Sequence, residues 1–517
     1  MNVTSFVAIL VILLLVATGV AIGTRWLRIP YVTGLVVAGL AITRLLPEQV
    51  GLDDALIINL FLPILIFEAS INTDISRLRN TIKPIALLAG PGVILCSGVT
   101  AFLLWRGLGV GWIAALFMGV ILAVTDTVSV IAVFKEVPVP ARLSTIVEGE
   151  SLFNDGIALV LFGLLLKVQE TGSITFLEAG QDFFVVIVGG SLIGLALGYL
   201  GAGLLARIDE PLGNILLTIA LALGVFQIGQ AVKVSGVVAV VVAGLMVNKL
   251  GIGSNISAST RLNLLSFWEV ASFGVNSFIF LLIGIEVDLI TFWQTLPAVL
   301  FAILAYQIGR ILSVYPILAI ARYFDRPIPR KWQHVLFFGN IKGSLSMAMA
   351  LSLPATLPER GQAIAIVFGT VLLSLIGQGL SLPWVVKRLQ LTRLSPSRLT
   401  IEELQARLMG AKAALDELET LFQSGVLPKA VYEETRSDYQ VRVASAEKSL
   451  REFYNRRPSR GDTMEPSLTR SASIRRRLLL AEKGALAEAV RQRVLSEEVV
   501  AEKLRAIDEQ LLSLEDD

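Results

Sequence analysis

Long apolar runs alternate with short polar breaks along the first three quarters of the chain. Thirteen such runs are centred near residues 14, 38, 62, 94, 122, 156, 194, 220, 241, 279, 306, 344 and 374. A helix of about 20 apolar residues crosses the roughly 30 Å of hydrocarbon in a bilayer. The runs are continuous and do not alternate, which excludes a β-barrel. The pattern therefore predicts an all-α polytopic membrane protein with about thirteen transmembrane helices.

The pattern changes near Pro396, where charged residues become frequent and the apolar positions recur with helical spacing. A Gly-Val-Leu-Pro sequence at residues 425–428 separates two such stretches. We therefore expect a helical tail in the cytoplasm after the membrane domain. The predicted domains are a transmembrane domain at 1–395, a cytoplasmic helical hairpin at 396–455, a flexible linker at 456–473 and a further cytoplasmic helix at 474–517.

Composition agrees with a membrane protein that carries no cofactor. The chain is 54% hydrophobic and 17% charged, whereas soluble domains are about a quarter charged. The formal net charge of +2 implies no nucleic-acid partner. A single cysteine, Cys96, and a single histidine, His334, exclude an internal disulfide and a Cys or His metal cluster. We expect a non-enzymatic protein without a cofactor, whose tail partner the sequence does not identify.

Basic residues give the expected orientation in the membrane. The first run, about residues 5–24, has no positive charge before it and is followed by Arg25 and Arg28, which predicts an uncleaved first helix. If the N-terminus is outside, fourteen Lys and Arg fall in cytoplasmic loops and five in the opposite loops. Positive residues collect on the cytoplasmic side. We therefore predict a multi-pass protein of the cell membrane, with its N-terminus outside and its C-terminus in the cytoplasm.

Ionisable residues inside predicted spans are the first candidates for function, because each one costs at least a few kcal/mol in a bilayer helix. Six acids and two bases occupy such positions, so the interior should attract cations. These residues are Glu68, Asp126, Glu148, Glu150, Asp155, Glu286, Arg310 and Lys342.

The sixth span contains most of these groups. Ser151 and Asp155 are four residues apart and share one helix face, and Glu148 lies two turns before Asp155 on that face. Glu150 and Asn154 share a second face, rotated by about 100°. We expect the first face to offer a hydroxyl and a carboxylate to a hard cation, and the second to anchor an ion pair. Glu148 is a candidate for a cytoplasmic funnel or, equally, for an exposed charge at its rim.

Two polar segments interrupt otherwise apolar runs. Thr-Asp-Thr at residues 125–127 lies in the fifth span, and Gly-Asn-Ile-Lys-Gly-Ser at 339–344 lies in the twelfth. Polar breaks at corresponding places in two halves of a sequence are typical of broken helices in inverted-repeat transporters. Asp126 would neutralise the positive half-helix ends and Lys342 the negative ends. The alternative is that the glycines only permit close helix packing.

Four segments together resemble the monovalent cation/proton antiporter family, which includes bacterial NhaP-type antiporters and animal Na⁺/H⁺ exchangers. The sequence Gly-Glu-Ser-Leu-Phe-Asn-Asp at 149–155 is similar to the family signature, and Thr-Asp-Thr-Val at 125–128 resembles its fifth-helix motif. Residues 283–288 and 309–310 also match. The resemblance covers about residues 5–390, and it implies inverted repeats, two broken crossing helices at spans 5 and 12, and a homodimer in which a core bundle moves against a dimerisation bundle.

The resemblance also implies roles for individual residues. Asp155 would bind either the cation or the proton, while Asn154 would hold the site together by hydrogen bonds. Ser151, Thr125 and Glu68 would add oxygens to the ion. The remaining roles concern the charges that hold the helices: Glu150 would pair with Arg310, and Asp126 and Lys342 would lie at the helix crossing.

Two positions narrow the type of ion exchange that is expected. The family usually has arginine where this chain has Lys342, and lysine lacks the bidentate fork of the guanidinium. Relatives with two adjacent aspartates in the sixth helix resemble electrogenic exchangers, whereas this chain has Asn154 before Asp155. We therefore expect electroneutral exchange of Na⁺, with Li⁺ as a further candidate substrate, for H⁺. Cation and proton would compete for Asp155 in an alternating-access mechanism.

Three other functions are alternatives to exchange of Na⁺. Exchange of K⁺ for H⁺ on the same scaffold stays open, because oxygen ligands alone do not set the size of the cation. A cation channel would line its pore with rings or repeated filters, and the sequence contains no such repeat. An intramembrane aspartyl protease using Asp126 and Asp155 would need Gly-rich motifs on both helices, which are absent.

Overall fold

The computed structural model describes residues 3–27, 31–43, 56–137, 139–172, 175–208, 210–252, 256–286, 289–323, 325–391, 396–423 and 427–455, with scattered positions between 478 and 510. Within these residues every regular element is a helix. In chain order the helices are α1 (Val3–Leu27), α2 (Tyr31–Ile42), α3 (Leu62–Asn72), α4 (Ile75–Leu87), α5 (Val93–Leu108), α6 (Trp112–Ala123), α7 (Thr127–Glu136), α8 (Ala141–Thr171), α9 (Phe176–Leu205), α10 (Pro211–Ala231), α11 (Gly236–Met246), α12 (Ala258–Glu286), α13 (Leu289–Ala321), α14 (Arg330–Phe338), α15 (Ser344–Leu351), α16 (Arg360–Leu373), α17 (Gly379–Arg388), α18 (Pro396–Gln423) and α19 (Lys429–Asn455). Single π-helical turns occupy Ile57–Phe61, Leu88–Gly92, Val247–Ile252 and Ser374–Gln378.

The thirteen predicted centres all lie within these helices or their π-helical turns, which confirms the all-α polytopic fold. Among the described residues, eight helical segments are long and apolar enough to cross a membrane, and four shorter apolar helices add to them. The remaining run, centred near residue 344, is divided between α14 and α15. Large apolar side chains also face outward, among them Leu15, Leu177, Leu212 and Ile290. Such an exposed apolar surface suits contact with hydrocarbon.

The fourteen basic residues predicted in cytoplasmic loops include Arg77, Arg79 and Lys83, but these three lie in a helix, so the loop prediction was wrong there. Asp74 caps α4 by accepting from the backbone N–H groups of Ser76 and Arg77, at 3.0 and 3.2 Å. The helix then continues through a π-helical turn into α5, so that residues 75–108 form one long helical segment. Arg79 and Lys83 are exposed on one side of α4, while Ile85 is buried on the other. The basic residues therefore mark an amphipathic helix rather than a loop.

Helices α2 and α12 pack closely because each has a glycine at the contact. A Cβ atom on Gly39 would collide with the carbonyl of Leu281, and one on Gly284 would collide with the carbonyl of Val36. Small residues allow helix backbones to approach in membranes, where van der Waals packing replaces the hydrophobic effect as a source of association. Tight contacts also join α5 to α6 and α13, and α9 to α11.

The chain divides into two compact units, residues 1–391 and residues 392–517. In the second unit, α18 and α19 pack against each other through Leu408, Ala446 and Leu450. Phe422 and Tyr432 stack with ring centroids 4.1 Å apart. The predicted linker at 456–473 and most of the final predicted helix lie outside the described residues.

Candidate ion-binding site

The fifth span breaks between α6 and α7. Val124 and Asp126 have extended backbone angles, and α7 begins at Thr127 with Asp126 as its N-cap. The Asp126 carboxylate accepts from Val128 N at 3.2 Å and from the Ser129 hydroxyl. A negative group at a helix N-terminus satisfies the free N–H groups there and opposes the positive end of the helix dipole.

The twelfth span breaks between α14 and α15, and Lys342 is fully buried in the break. Its Nζ donates to the Val124 carbonyl at 3.0 Å and to Asn340 Oδ1 at 2.5 Å. The same atom lies 4.6 Å from the centre of the Tyr306 ring. The ammonium group thus lies at the carbonyl end of α6, where a positive charge opposes the negative end of the dipole.

The two breaks cross and are bonded to each other. Asp126 N donates to the Ile341 carbonyl at 2.8 Å, and Ser346 Oγ donates to the Ile121 carbonyl at 3.0 Å. Gly343 is required at the crossing, since a Cβ atom there would lie 2.5 Å from Cβ of Asp126. The two polar segments are therefore broken, crossing helices rather than helices that only pack closely.

Asp155 lies on α8 beside this crossing and is half-buried. Its Oδ1 atom is buried, and it has no hydrogen-bond partner within the described part of the chain. A buried acceptor without a donor is costly, so this oxygen is suited to bind a proton or a hard cation.

Two neighbours of Asp155 bond to the break in the fifth span. Ser151 Oγ donates to the Thr125 carbonyl at 2.7 Å and accepts from Thr127 Oγ1 at 3.1 Å. Asn154 Nδ2 donates to the Ala123 carbonyl and to Thr125 Oγ1, at 3.2 and 3.3 Å. The Oδ1 atom of Asn154 is buried without a partner among the described residues. Ser151 and Asn154 thus both contact the fifth span, whereas the helix spacing had assigned them to different faces.

Glu150 forms a buried ion pair with Arg310 of α13. Arg310 Nη2 donates to Glu150 Oε2 at 2.9 Å, and Nη1 donates to Oε1 of the same carboxylate. The two residues are 3% and 4% exposed. Arg310 Nη2 also donates to the Leu336 carbonyl at 2.9 Å, which ties the pair to α14. The second face of α8 therefore connects the sixth, eleventh and twelfth spans.

Two of the other candidate acids form hydrogen bonds within their own helices. Glu68 on α3 accepts from Asn72 Nδ2 at 2.8 Å. Glu148 accepts from Ser144 Oγ at 2.7 Å near the start of α8. The side chain of Glu286 lies outside the described residues.

A small cavity lies next to the crossing and has room for about a single water molecule. Its polar lining comes from Thr125, Asp126, Thr127, Glu150 and Arg310. Arg310 Nε, one of the buried atoms without a described partner, belongs to this group of residues. The cavity leaves room for a water molecule next to the break in the fifth span. Asp155 does not line this cavity.

Three polar residues that contact the break in the twelfth span were not among the predicted site residues. Tyr306 lies under Lys342, and Ser374 and Gln378 occupy the π-helical turn between α16 and α17. The sequence contained a sign of two of them, because Ser374 and Gln378 are polar residues spaced four apart in a largely apolar run. Such spacing places both side chains on the same side of a helix.

Two broken helices cross at mid-length, and beside the crossing lies a buried carboxylate oxygen that has no hydrogen-bond partner among the described residues. This arrangement is typical of secondary transporters built from inverted repeats. Comparison with known proteins gives the family. Residues 10–388 match the model described as sodium/hydrogen exchanger, transmembrane, and the chain belongs to this family.

Relatives in sequence agree with this assignment, and a solved structure has a similar fold. The chain is 54% identical to the Na⁺/H⁺ antiporter NhaS2 of Synechocystis sp. over all of its own length and 95% of that protein. It is 35% identical to the Na⁺/H⁺ antiporter ApNhaP of Aphanothece halophytica over 88% of each chain. The fold is similar to that of the sodium proton antiporter MjNhaP1 from Methanocaldococcus jannaschii, with a TM-score of 0.64, 20% identity, and coverage of 76% of this chain and 99% of the other.

Proposed function

We propose that this protein exchanges Na⁺, or Li⁺, for H⁺ across the membrane by competition of the two ions for Asp155. The observation that carries the proposal is the buried Oδ1 atom of Asp155 beside the helix crossing, which has no hydrogen-bond partner in the part of the chain that the structure describes. Relatives that cover the chain are named Na⁺/H⁺ antiporters, which supports Na⁺ as the cation.

Coupling follows from the charge of the site. With either Na⁺ or H⁺ bound, Asp155 is neutralised and the surrounding helices can move through an interior of low dielectric constant. When the site is empty, its negative charge opposes that movement, because an unpaired charge interacts poorly with such an interior. Alternating access then exchanges one ion for the other without a leak.

Oxygens for the cation come from residues beside Asp155. The Oδ1 atom of Asn154 is buried and unpartnered among the described residues, and Thr125 lies within hydrogen-bond distance of Asn154. The Ser151 hydroxyl retains its contact with the Thr125 carbonyl in this state. In the proposal Ser151, Thr125 and Glu68 add ligands when the ion is bound, while Glu150 with Arg310, and Asp126 with Lys342, hold the helices in place.

The test is ion-driven proton flux in proteoliposomes that contain a pH-sensitive dye. Wild-type protein should give dequenching on addition of Na⁺, and Asp155→Asn should abolish the signal while the protein still folds. The matched control is Asp182→Asn, at an exposed ion pair with Lys167, which should keep wild-type flux. Full activity of Asp155→Asn would refute the proposal. A response to K⁺ but not Na⁺ would assign K⁺/H⁺ exchange, and cation flux independent of the proton gradient would indicate a channel.

Electroneutral exchange is the proposed stoichiometry, because Asn154 leaves Asp155 without a second acid beside it in the sequence. With one exchangeable charge, one cation should leave for each proton that enters. The initial rate should then stay constant when valinomycin and K⁺ clamp the membrane potential at different values. A rate that rises steeply with potential would show electrogenic exchange instead.

We further propose a homodimer in the cell membrane, with the N-terminus outside and the C-terminus in the cytoplasm. Because Cys96 is buried, a Cys96→Ser background allows new cysteines to report orientation. Thr171→Cys, after the sixth span, should react with an impermeant maleimide in intact cells, whereas Gly410→Cys in α18 should react only after lysis. The reverse pattern would invert the proposed orientation. Cross-linking and the mass of the detergent complex test the dimer.

A further inference from the structure

The π-helical turn at Ser374–Gln378 places two polar side chains together inside an apolar span. Ser374 is 2% exposed and Gln378 is 8% exposed. Ser374 Oγ donates to Gln378 Oε1 at 2.5 Å. Buried polar groups in a membrane helix need partners within the protein, so the remaining hydrogen bonds of these two residues show what the turn holds.

Both side chains bond to the break in the twelfth span. Gln378 Nε2 donates to the carbonyl of Phe338, the last residue of α14, at 3.2 Å. The backbone N–H of Lys342 donates to Ser374 Oγ at 3.1 Å. An interrupted helix leaves backbone groups without partners at its ends. The π-helical turn therefore satisfies the backbone at both ends of the non-helical segment between Phe338 and Lys342.

Tyr306 fixes the orientation of the Gln378 amide. Its hydroxyl donates to Gln378 Oε1 at 3.0 Å, so that this oxygen accepts from two hydroxyl groups while Nε2 donates to a carbonyl. A flipped amide would lose all three bonds. The Tyr306 ring also lies 4.6 Å from Lys342 Nζ. The same residue thus contacts both the amide and the ammonium group.

The break in the twelfth span in turn holds the break in the fifth. Lys342 Nζ donates to the Val124 carbonyl, and Asp126 N donates to the Ile341 carbonyl. Thr125 lies between these two bonded residues. A shift of Lys342 would therefore move Thr125, whose oxygens bond to the neighbours of Asp155 on α8.

We infer that Gln378 is a positioning residue for cation binding. It acts with Ser374 and Tyr306 to fix the non-helical segment of the twelfth span, and through Lys342 it fixes the oxygens of Thr125 beside Asp155. The identity of the cation in this inference rests on the proposed function, whereas the positioning of the segment does not.

The first test compares Gln378→Leu with Gln307→Leu in proteoliposomes. Gln307 is one residue from Tyr306 in the same membrane domain, and its side-chain oxygen has no partner among the described residues. Gln378→Leu should raise the apparent KM for Na⁺ about tenfold, because misplaced ligands weaken binding, while Vmax changes by less than about threefold. Gln307→Leu should leave both constants near wild type. An unchanged KM in Gln378→Leu, or an equal change in both variants, would overturn the inference.

Two milder variants decide the matter if Gln378→Leu does not fold. Gln378→Glu keeps an acceptor for Tyr306 and Ser374 but loses the donor to Phe338. Tyr306→Phe keeps the ring over Lys342 but removes one donor to the amide. Each should raise the KM by a smaller factor than Gln378→Leu does, and the double variant of Tyr306 and Gln378 should be less than additive, since both act in one network. Wild-type KM in both single variants would contradict the inference.

Hydrogen exchange measured by mass spectrometry separates this inference from the proposed function. Amides at residues 339–343 should exchange faster in Gln378→Leu than in wild type, and at the wild-type rate in Gln307→Leu, whether or not the protein transports Na⁺. If wild-type protein shows no exchange of Na⁺ for H⁺, the proposed function fails while this readout still judges the inference. Unchanged protection of residues 339–343 in Gln378→Leu would refute the inference even in an active exchanger.

Discussion

Removal of one partner from the Glu150–Arg310 pair should strongly destabilise the membrane domain. In Glu150→Leu, Arg310 keeps its bond to the Leu336 carbonyl but loses both hydrogen bonds to the carboxylate. Its charge is then buried and unpaired, since the residue is only 4% exposed. Breaking a buried pair in this way costs about 3–5 kcal/mol.

This loss of unfolding free energy can be converted to a shift in the melting temperature. With an unfolding entropy of about 2.1 cal/mol/K per residue, applied to the unit at residues 1–391, the melting temperature should fall by about 4–6 °C. The double variant Glu150→Leu with Arg310→Met should recover most of this loss, because replacing both charges with apolar side chains of similar volume is often neutral.

Tryptophan fluorescence during heating in detergent measures these shifts. Asp182→Asn serves as the control, since it breaks an exposed ion pair at 2.5 Å, and exposed pairs contribute little to stability. Two outcomes would refute the reasoning: a wild-type melting temperature for Glu150→Leu, or a double variant less stable than either single variant.

Two other substitutions test contacts away from the ion site. Gly284→Ala should lower the melting temperature, because its Cβ would collide with the Val36 carbonyl. Gly274→Ala on the same helix has open space around the new methyl group and should leave the melting temperature unchanged. Equal shifts for the two variants in thermal unfolding would contradict this packing argument. Glu359→Gln should weaken the start of α6 by about 0.5–1 kcal/mol, because the Glu359 carboxylate accepts from Gly111 N at 2.8 Å. Faster hydrogen exchange in the first turn of α6 is the expected result, and unchanged protection would show that the carboxylate does not stabilise that end.

Much of the fold could be predicted because the bilayer limits what a chain can do. Apolar runs of sufficient length must be helical in hydrocarbon. This requirement predicted helices at all thirteen centres, where the structure has helices or π-helical turns. The breaks were also visible, since Asp126 and Lys342 are too costly in a regular membrane helix to lack a role. The exception was the stretch that contains Arg79 and Lys83. The basic residues predicted a loop there, although the spacing of Leu78 and Ile85 is helical.

The positions of individual side chains were harder to predict from the sequence. Helix spacing placed Ser151 with Asp155, and Asn154 with Glu150, but it does not say where each neighbouring helix lies. In the structure Ser151 bonds to the Thr125 carbonyl in the break and Asn154 bonds to the Ala123 carbonyl at the end of α6, so both side chains face the fifth span. The π-helical turns were not predicted either, because one extra residue in a helical turn leaves the apolar pattern almost unchanged.

The sequence by itself determined that the chain spans a membrane in many helices, that two of these helices break, and that Asp155 is a candidate for the exchanged ion. These conclusions depend on local costs, namely those of charge and of unpaired backbone in hydrocarbon. Only the tertiary structure decided which groups meet: Arg310 with Glu150, 160 residues apart, and Gln378 with Phe338. Such pairings depend on how helices cross, and the physical chemistry of a single segment does not contain that information.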